Sequence, residues 1–176
     1  MQRGAAAVRN AQTIVWGIIS FLIGLIFGTL MIVAYESVSF KPWQWKYPPI
    51  VLNCYGDDMN ESYISSAVHY WTIRDHNFAY IENNPPRHMC KADHIQGFII
   101  IKQKRLPTNT LGVTQRKIFL GNIVAATIYF DSGSYRITNV FEHEIGHALG
   151  YNHLEEEGHI MHPLWEKMSP KFWIPE

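Results

Sequence analysis

The sequence predicts a mixed α/β or α+β domain, with helices packed on one sheet, preceded by a helix that spans a membrane. From Ile50 onward, short apolar runs alternate with amphipathic stretches, which is typical of strands that alternate with helices. Hydrophobic residues make up 47% of the chain, enough for a core. The uncharged run at 13–35 predicts the membrane helix, and a length of 176 residues favours one domain with an appendage.

The run at 13–35 is long enough to cross a bilayer, since a helix needs about 20 apolar residues to do so. The alternative is a cleaved signal peptide, although the apolar part of such peptides usually has only about 7–15 residues. Positive charge in the tail, residues 1–12, slightly favours a cytoplasmic N-terminus and an extracytoplasmic domain. Gly24 and Gly28 form a G-x-x-x-G pattern, a candidate dimerisation face.

Residues 36–49 are predicted to form a juxtamembrane stalk. Pro42, Pro48 and Pro49 favour extended backbone, so neither a helix nor the centre of a sheet is expected here. So short a stalk would keep the following domain, residues 50–176, close to the membrane, which favours substrates at or near the bilayer.

The domain is predicted to contain five strands and two main helices. The strands are expected at 50–55, 78–81, 97–102, 116–120 and 124–130. The first helix is expected at 61–75, with Asn60 as its N-cap, and the second at 139–149.

Charge and cysteine content restrict the partners and the compartment. Acidic and basic residues balance, 15 of each, so there is no basic excess to suggest a nucleic-acid partner and none is expected. Cys54 and Cys90 do not form a C-x-x-C pattern. In an extracytoplasmic domain they could form one disulfide; the alternative is two buried free thiols.

The residues at 143–153 read HEIGHALGYNH and predict a metal site. On a helix, His143 and His147 share one face, so both imidazoles can reach one ion. Glu144 is rotated about 100° around the helix, where it can contact a metal-bound water. The alternative is a helix whose histidines merely lie on a half-exposed face.

A third ligand follows the helix. Gly150 can adopt a positive φ and end the helix sharply, so that His153 folds back toward the same ion. Three nitrogen ligands leave one position for water, which is typical of a catalytic rather than a structural zinc site.

Met161 lies eight residues after His153, within the run GHIMHP at 158–163. The motif H-E-x-x-H-x-x-G-x-x-H followed by this methionine resembles the metzincin metallopeptidases, most closely the matrixins. The run IYFD at 128–131 is similar to the strand that precedes the active-site helix in that family.

The resemblance implies a twisted, mostly parallel sheet with an antiparallel edge strand near 117–121, to which an extended peptide substrate would add. It implies that one zinc ion is bound by His143, His147 and His153, with Glu144 as the base, and no calcium is assigned. Met161 would form an apolar base under the zinc. The wall of a side-chain pocket would come from Pro163, Leu164 and Trp165.

The implied reaction is peptide hydrolysis, in which Glu144 takes a proton from water and later gives it to the leaving amine. His159 and His162 flank the methionine and are interpreted either as oxyanion donors or as solvent-exposed turn residues. A membrane-tethered zinc-binding structural or interaction protein without turnover is the competing hypothesis. A third hypothesis keeps the chemistry but directs it to the peptides of a cell wall.

Overall fold

The computed structural model describes residues 19–24, 40–56 and 58–175. The chain divides into two units, residues 1–39 and 40–176. In the first unit, residues 19–24 are helical. Among the described residues, no helix is both long and apolar enough to cross a membrane. The rest of the predicted span at 13–35, including Gly28, and the predicted tail lie outside the described residues.

The second unit contains a six-stranded sheet and three α-helices in its described part. The strands are β1 (Gln44–Trp45), β2 (Ile50–Cys54), β3 (Ile81–Glu82), β4 (Phe98–Gln103), β5 (Gly112–Phe119) and β6 (Asn122–Phe130). The helices are α1 (Glu61–Thr72), α2 (Arg87–Lys91) and α3 (Val140–Ala148), and single 3₁₀ turns lie at Ser134–Arg136 and Trp165–Lys167.

The sheet is mostly parallel, with one antiparallel strand at its edge. Its order is β1-β6-β4-β2-β3, and every pairing along this path is parallel. β5 pairs with β6 in the antiparallel direction, with Gly112 opposite Phe130. The mixed, mostly parallel sheet agrees with the predicted fold. Ile99, Ile100 and Ile101 of β4 are all fully buried, as expected for a parallel strand covered on both faces.

Helix α1 packs against the active-site region through one apolar face. It begins at Asn60, whose side-chain oxygen accepts a hydrogen bond from the Ser62 amide at 2.9 Å. Trp71 is fully buried and its indole N–H donates to the carbonyl of Glu142 in α3 at 2.8 Å. The helix ends at Thr72, before the predicted position 75, and Ile73 is consequently 64% exposed.

Residues 40–49, predicted as the second part of the stalk, instead belong to the folded unit. β1 pairs with Asn122–Ile123 of β6, and Phe40 and Trp45 pack against the core. Pro42, Pro48 and Pro49 are compatible with this pairing because β1 is only two residues long and contains none of them. The other residues of the predicted stalk, 36–39, lie outside the described residues.

Other differences from prediction involve short elements and the edge strand. β5 begins at Gly112 rather than at 116, and β3 lies at Ile81–Glu82 rather than at 78–81. α2 was not predicted. It carries Cys90, which forms a disulfide with Cys54 at the end of β2, with the two Cα atoms 5.3 Å apart.

Candidate metal centre

Helix α3 and the turn that follows it bring three histidines together. His143 and His147 lie on α3, and the chain leaves the helix at Gly150, whose φ is +109°. A Cβ at Gly150 would also collide with the carbonyl oxygen of Trp43, so both the conformation and the space require glycine. The turn places His153 beside the other two histidines, and the ligand atoms of the three imidazoles all lie within 4.8 Å of one another.

Backbone carbonyls orient the first two imidazoles. Nδ1 of His143 lies 2.8 Å from the carbonyl oxygen of Ile160, and Nδ1 of His147 lies 2.8 Å from that of Tyr151. Because a carbonyl oxygen can only accept, we assign the proton to Nδ1 in both rings. Each Nε2 therefore keeps a free lone pair, as a metal ligand requires.

The spacing of the nitrogens fits a metal ion. Nε2 of His147 and Nε2 of His153 are 3.1 Å apart. Two nitrogens, each about 2.0–2.1 Å from a tetrahedral zinc, would be separated by about 3.3 Å. The donor set therefore suits zinc.

Burial keeps the histidines in the form that binds metal. It lowers the pKa of His143 to about 4 and the pKa of His147 well below its usual range. The pKa of His153, whose side chain is more exposed than the other two, is also lowered, mainly by partial desolvation. At neutral pH all three imidazoles are therefore uncharged, and no proton must leave before an ion can bind.

Glu144 is held by the edge strand. It is 5% exposed, and the hydroxyl of Thr114 donates to its Oε2 at 2.5 Å. A Cβ at Gly112 would lie 2.6 Å from Cγ and Oε1 of Glu144, so only glycine leaves room for the carboxylate. Burial raises the pKa of Glu144 to about 7, against the opposing effect of the Thr114 hydrogen bond. Such a carboxyl group can accept and release a proton near neutral pH.

These groups line an open cleft of about 570 Å³, together with residues of β5 and of the C-terminal segment. The part of β5 that borders the cleft is 112–116, upstream of the predicted 117–121, because the hairpin turns at Leu120 and Gly121. Pro163 and Trp165 line the cleft and Leu164 does not; the exposed fraction is 47% for Trp165 and 53% for Leu164.

Met161 and the histidines beside it are buried. Met161 is fully buried, and its amide donates to Nδ1 of His159 at 2.9 Å. His159 Nε2–H can then donate to the carbonyl of Trp173, 3.0 Å away. The interpretation of His159 and His162 as exposed turn residues is wrong, since they are 0% and 4% exposed. Neither lines the cleft, so the geometry does not favour the oxyanion role either.

The family model described as matrixin, a peptidase family, matches residues 57–176 of the chain. The chain belongs to the matrixin family. A matrixin is a zinc metallopeptidase, and the cluster of His143, His147 and His153 could hold the metal ion that the family implies. No curated protein matches the chain. Residues 40–56 of this matrixin lie upstream of the matched region.

The sequence predicted the three histidines but not the residues that support them. Thr114 and Gly112 act on Glu144 from a strand about thirty residues away along the chain. Arg116 donates to the carbonyls of His147 and Tyr151, each at 3.3 Å. No local pattern marks these positions, because they depend on the alignment of β5 beside α3.

Proposed function

We propose that the chain is a membrane-anchored zinc metalloendopeptidase. In this proposal His143, His147 and His153 hold one catalytic zinc ion and Glu144 is the general base. The observation that carries it is the convergence of three neutral imidazoles beside a buried carboxyl group in an open cleft. Membership of the matrixin family supports the general class of activity.

The mechanism assigns the proton transfers to Glu144. When bound, zinc supplies Lewis-acid activation of a water and of the scissile carbonyl. Glu144 accepts the proton of the attacking water and later delivers it to the leaving amine nitrogen. The hydroxyl of Thr114 holds Oε2 of this carboxyl group in place during both transfers.

The substrate is proposed to bind as an extended peptide. In the described part of the chain, β5 pairs only with β6, so its other edge can accept a further strand along 112–116, where it borders the cleft. Pro163, Trp165 and Met168 supply an apolar wall for a substrate side chain. A cleft open along a strand suits cleavage within a peptide, which supports the endopeptidase assignment.

Membrane anchoring and localisation are further parts of the proposal. The uncharged run at 13–35 supports contact with membrane lipid and a single-pass topology, and Gly24 and Gly28 remain a candidate dimer contact. The disulfide between Cys54 and Cys90 supports an extracytoplasmic domain, since such bonds persist in oxidising compartments. The N-terminus would then be cytoplasmic and the substrate a protein or peptide near the membrane surface, with no nucleic-acid partner.

The membrane anchor is tested by alkaline extraction of membranes from expressing cells. This treatment should release a chain that starts at residue 36 but should leave the full chain in the membrane. Release of both chains would contradict the anchor.

The activity is tested with the full chain in detergent by elemental analysis and a broad peptide library. We expect one zinc ion per chain, cleavage within peptides, loss of cleavage with a chelator and recovery with added zinc. Absence of bound zinc would contradict the proposal. Stoichiometric zinc without any cleavage would instead support the non-catalytic zinc-binding alternative.

A further inference from the structure

The third ligand is the least anchored of the three. His143 and His147 lie on a helix and donate to backbone carbonyls, whereas His153 lies beyond the helix and is exposed. The ring of His153 contacts the rings of the other two histidines. Its position therefore depends on the backbone that leads to it, which we call the ligand loop, residues 148–153.

Residues 40–45, here called the N-terminal strap, hold this loop by three hydrogen bonds. The amide of Asn152 donates to the carbonyl of Phe40 at 2.8 Å, and the indole N–H of Trp45 donates to the carbonyl of Ala148 at 2.8 Å. The ammonium group of Lys41 donates to the hydroxyl of Tyr151 at 3.2 Å. These bonds reach the start, the middle and the far part of the ligand loop.

Trp43 completes the contact between the strap and the loop. Its carbonyl oxygen fills the space beside Gly150 that a Cβ would occupy. Its ring lies 4.8 Å from the guanidinium carbon of Arg116, which in turn donates to the carbonyls of His147 and Tyr151. Arg116 also donates to Asn152 Oδ1 at 3.2 Å, so the strap and β5 act on the same loop.

We propose that the N-terminal strap is a positioning element for the third metal ligand. By fixing the backbone of the ligand loop, it places His153 where its Nε2 can share an ion with His143 and His147. The metal-binding unit of this chain then begins at residue 40, upstream of the region that matches the matrixin family. This inference rests on the proposed zinc site. It adds one requirement, that the N-terminal strap be packed against the ligand loop.

A purely structural strap would behave differently. If the strap only adds packing, removing one of its hydrogen bonds should lower the stability of the fold and leave the affinity for zinc unchanged. If it positions His153, the affinity should fall by more than a comparable loss of stability elsewhere would cause. Zinc affinity, measured together with the rate of amide hydrogen exchange in the ligand loop, therefore separates the two roles.

The experiment compares three single substitutions in the full chain. Trp45→Phe removes the hydrogen bond to Ala148, and Arg116→Met removes those that Arg116 donates to Tyr151 and Asn152 of the ligand loop. The control, Tyr135→Phe, also removes a hydrogen bond to a backbone carbonyl, that of Asp58, together with the one that the Tyr135 hydroxyl accepts from Arg136. Zinc affinity is measured by competition with a chromophoric chelator. Exchange of the Asn152 amide hydrogen is measured in the zinc-free protein.

We expect Trp45→Phe and Arg116→Met to weaken zinc binding roughly 10-fold or more, in the range typical of residues that support metal ligands. They should also speed exchange of the Asn152 amide, while Tyr135→Phe keeps wild-type values of both. Wild-type zinc affinity in Trp45→Phe would overturn the inference and leave the proposed function intact, whatever the effect of Arg116→Met. If either variant fails to fold, Lys41→Met, which removes the bond to Tyr151, takes its place. A wild-type chain that binds no zinc would overturn the proposed function itself.

Discussion

At the residue scale, Glu144 owes its position to two residues of β5. Gly112 leaves room for the carboxyl group, and Thr114 donates a hydrogen bond to it. Burial alone would favour a protonated, loosely placed side chain, because an ionised carboxylate loses its hydration in an enclosed site. The hydrogen bond opposes this effect and also fixes the direction of the acceptor oxygen.

Gly112→Ala should therefore reduce catalysis without removing the metal. A Cβ 2.6 Å from Cγ and Oε1 forces Glu144 to move, and a displacement of about 1 Å in a catalytic group can cost roughly 10²-fold in rate. We expect kcat/KM to fall by about that factor while zinc content stays at the wild-type value. Lys117→Ala, at an exposed position of the same strand that does not line the cleft, is the control. Equal activity of the two variants would show that Gly112 does not matter for the base.

His76 should make stability depend on pH. Burial lowers its pKa from 6.5 to about 4; the charge of Lys41 adds to this and that of Asp75 opposes it. The imidazole also lies 2.9 Å from the hydroxyl of Tyr151. As the pH falls from 6.5 toward 4, the unfolded chain takes up a proton that the folded chain does not, so the free energy of unfolding decreases.

His76→Gln should make this decrease shallower, because the new side chain does not titrate. The measurement is the urea midpoint of zinc-free wild type and variant at several pH values between 4.5 and 7. The two curves should approach each other as the pH falls. Parallel curves would mean that His76 does not keep its lowered pKa in the folded protein.

At the element scale, most long segments were predictable, although β5 begins at Gly112 rather than at 116, and the shortest strands were not placed correctly. The motif helix was expected at 139–149 and spans Val140–Ala148, and the apolar runs of β4 and β6 were placed to within two residues. β1 and β3 contain two residues each, too few for any periodic pattern. They exist because neighbouring strands offer hydrogen bonds to them, which only the folded sheet provides.

The candidate site likewise combines residues that local sequence predicts with residues that only the folded structure brings together. The metal ligands follow from spacing on one helix and one turn, and both are local properties of the chain. Thr114, Arg116 and the N-terminal strap meet this helix only through tertiary packing, so no local signal marks them. Residues 40–45 were predicted to belong to a stalk instead, because Pro42, Pro48 and Pro49 favour extended backbone.

The turn that contains Met161 is an element whose stability depends on one buried histidine. His159 accepts from the amide of Met161 and can donate to the carbonyl of Trp173. His159→Leu would leave the buried amide of Met161 without this partner, at a cost of roughly 1–3 kcal/mol, while the carbonyl of Trp173 is only half-buried.

We therefore expect His159→Leu to lower the free energy of unfolding by about 1–3 kcal/mol, measured by urea titration. Glu156→Ala provides the control, since Glu156 accepts from the same Trp173 through an exposed side chain. That substitution should change stability by less than about 0.5 kcal/mol. Equal stability of the two variants would contradict the structural role of His159.

At the scale of the whole molecule, one disulfide links the sheet to α2. Cys54 and Cys90 are separated by 36 residues, and closing a loop of this length restricts the unfolded chain. The bond should contribute about 4 kcal/mol. Reduction should lower the urea midpoint of wild type to that of a Cys54→Ser, Cys90→Ser double variant, which should itself be insensitive to reductant. A wild-type midpoint that does not change on reduction would contradict this contribution.

The proposed peptidase activity requires both the three metal ligands and Glu144 as the proton acceptor. The most direct test is kcat/KM for a cleaved peptide in wild type and Glu144→Gln, with zinc content measured on the same samples. We predict that Glu144→Gln retains its zinc and loses activity by at least about 10²-fold, the usual minimum contribution of a general base. Cleavage by Glu144→Gln at the wild-type rate, with zinc bound, would contradict the account.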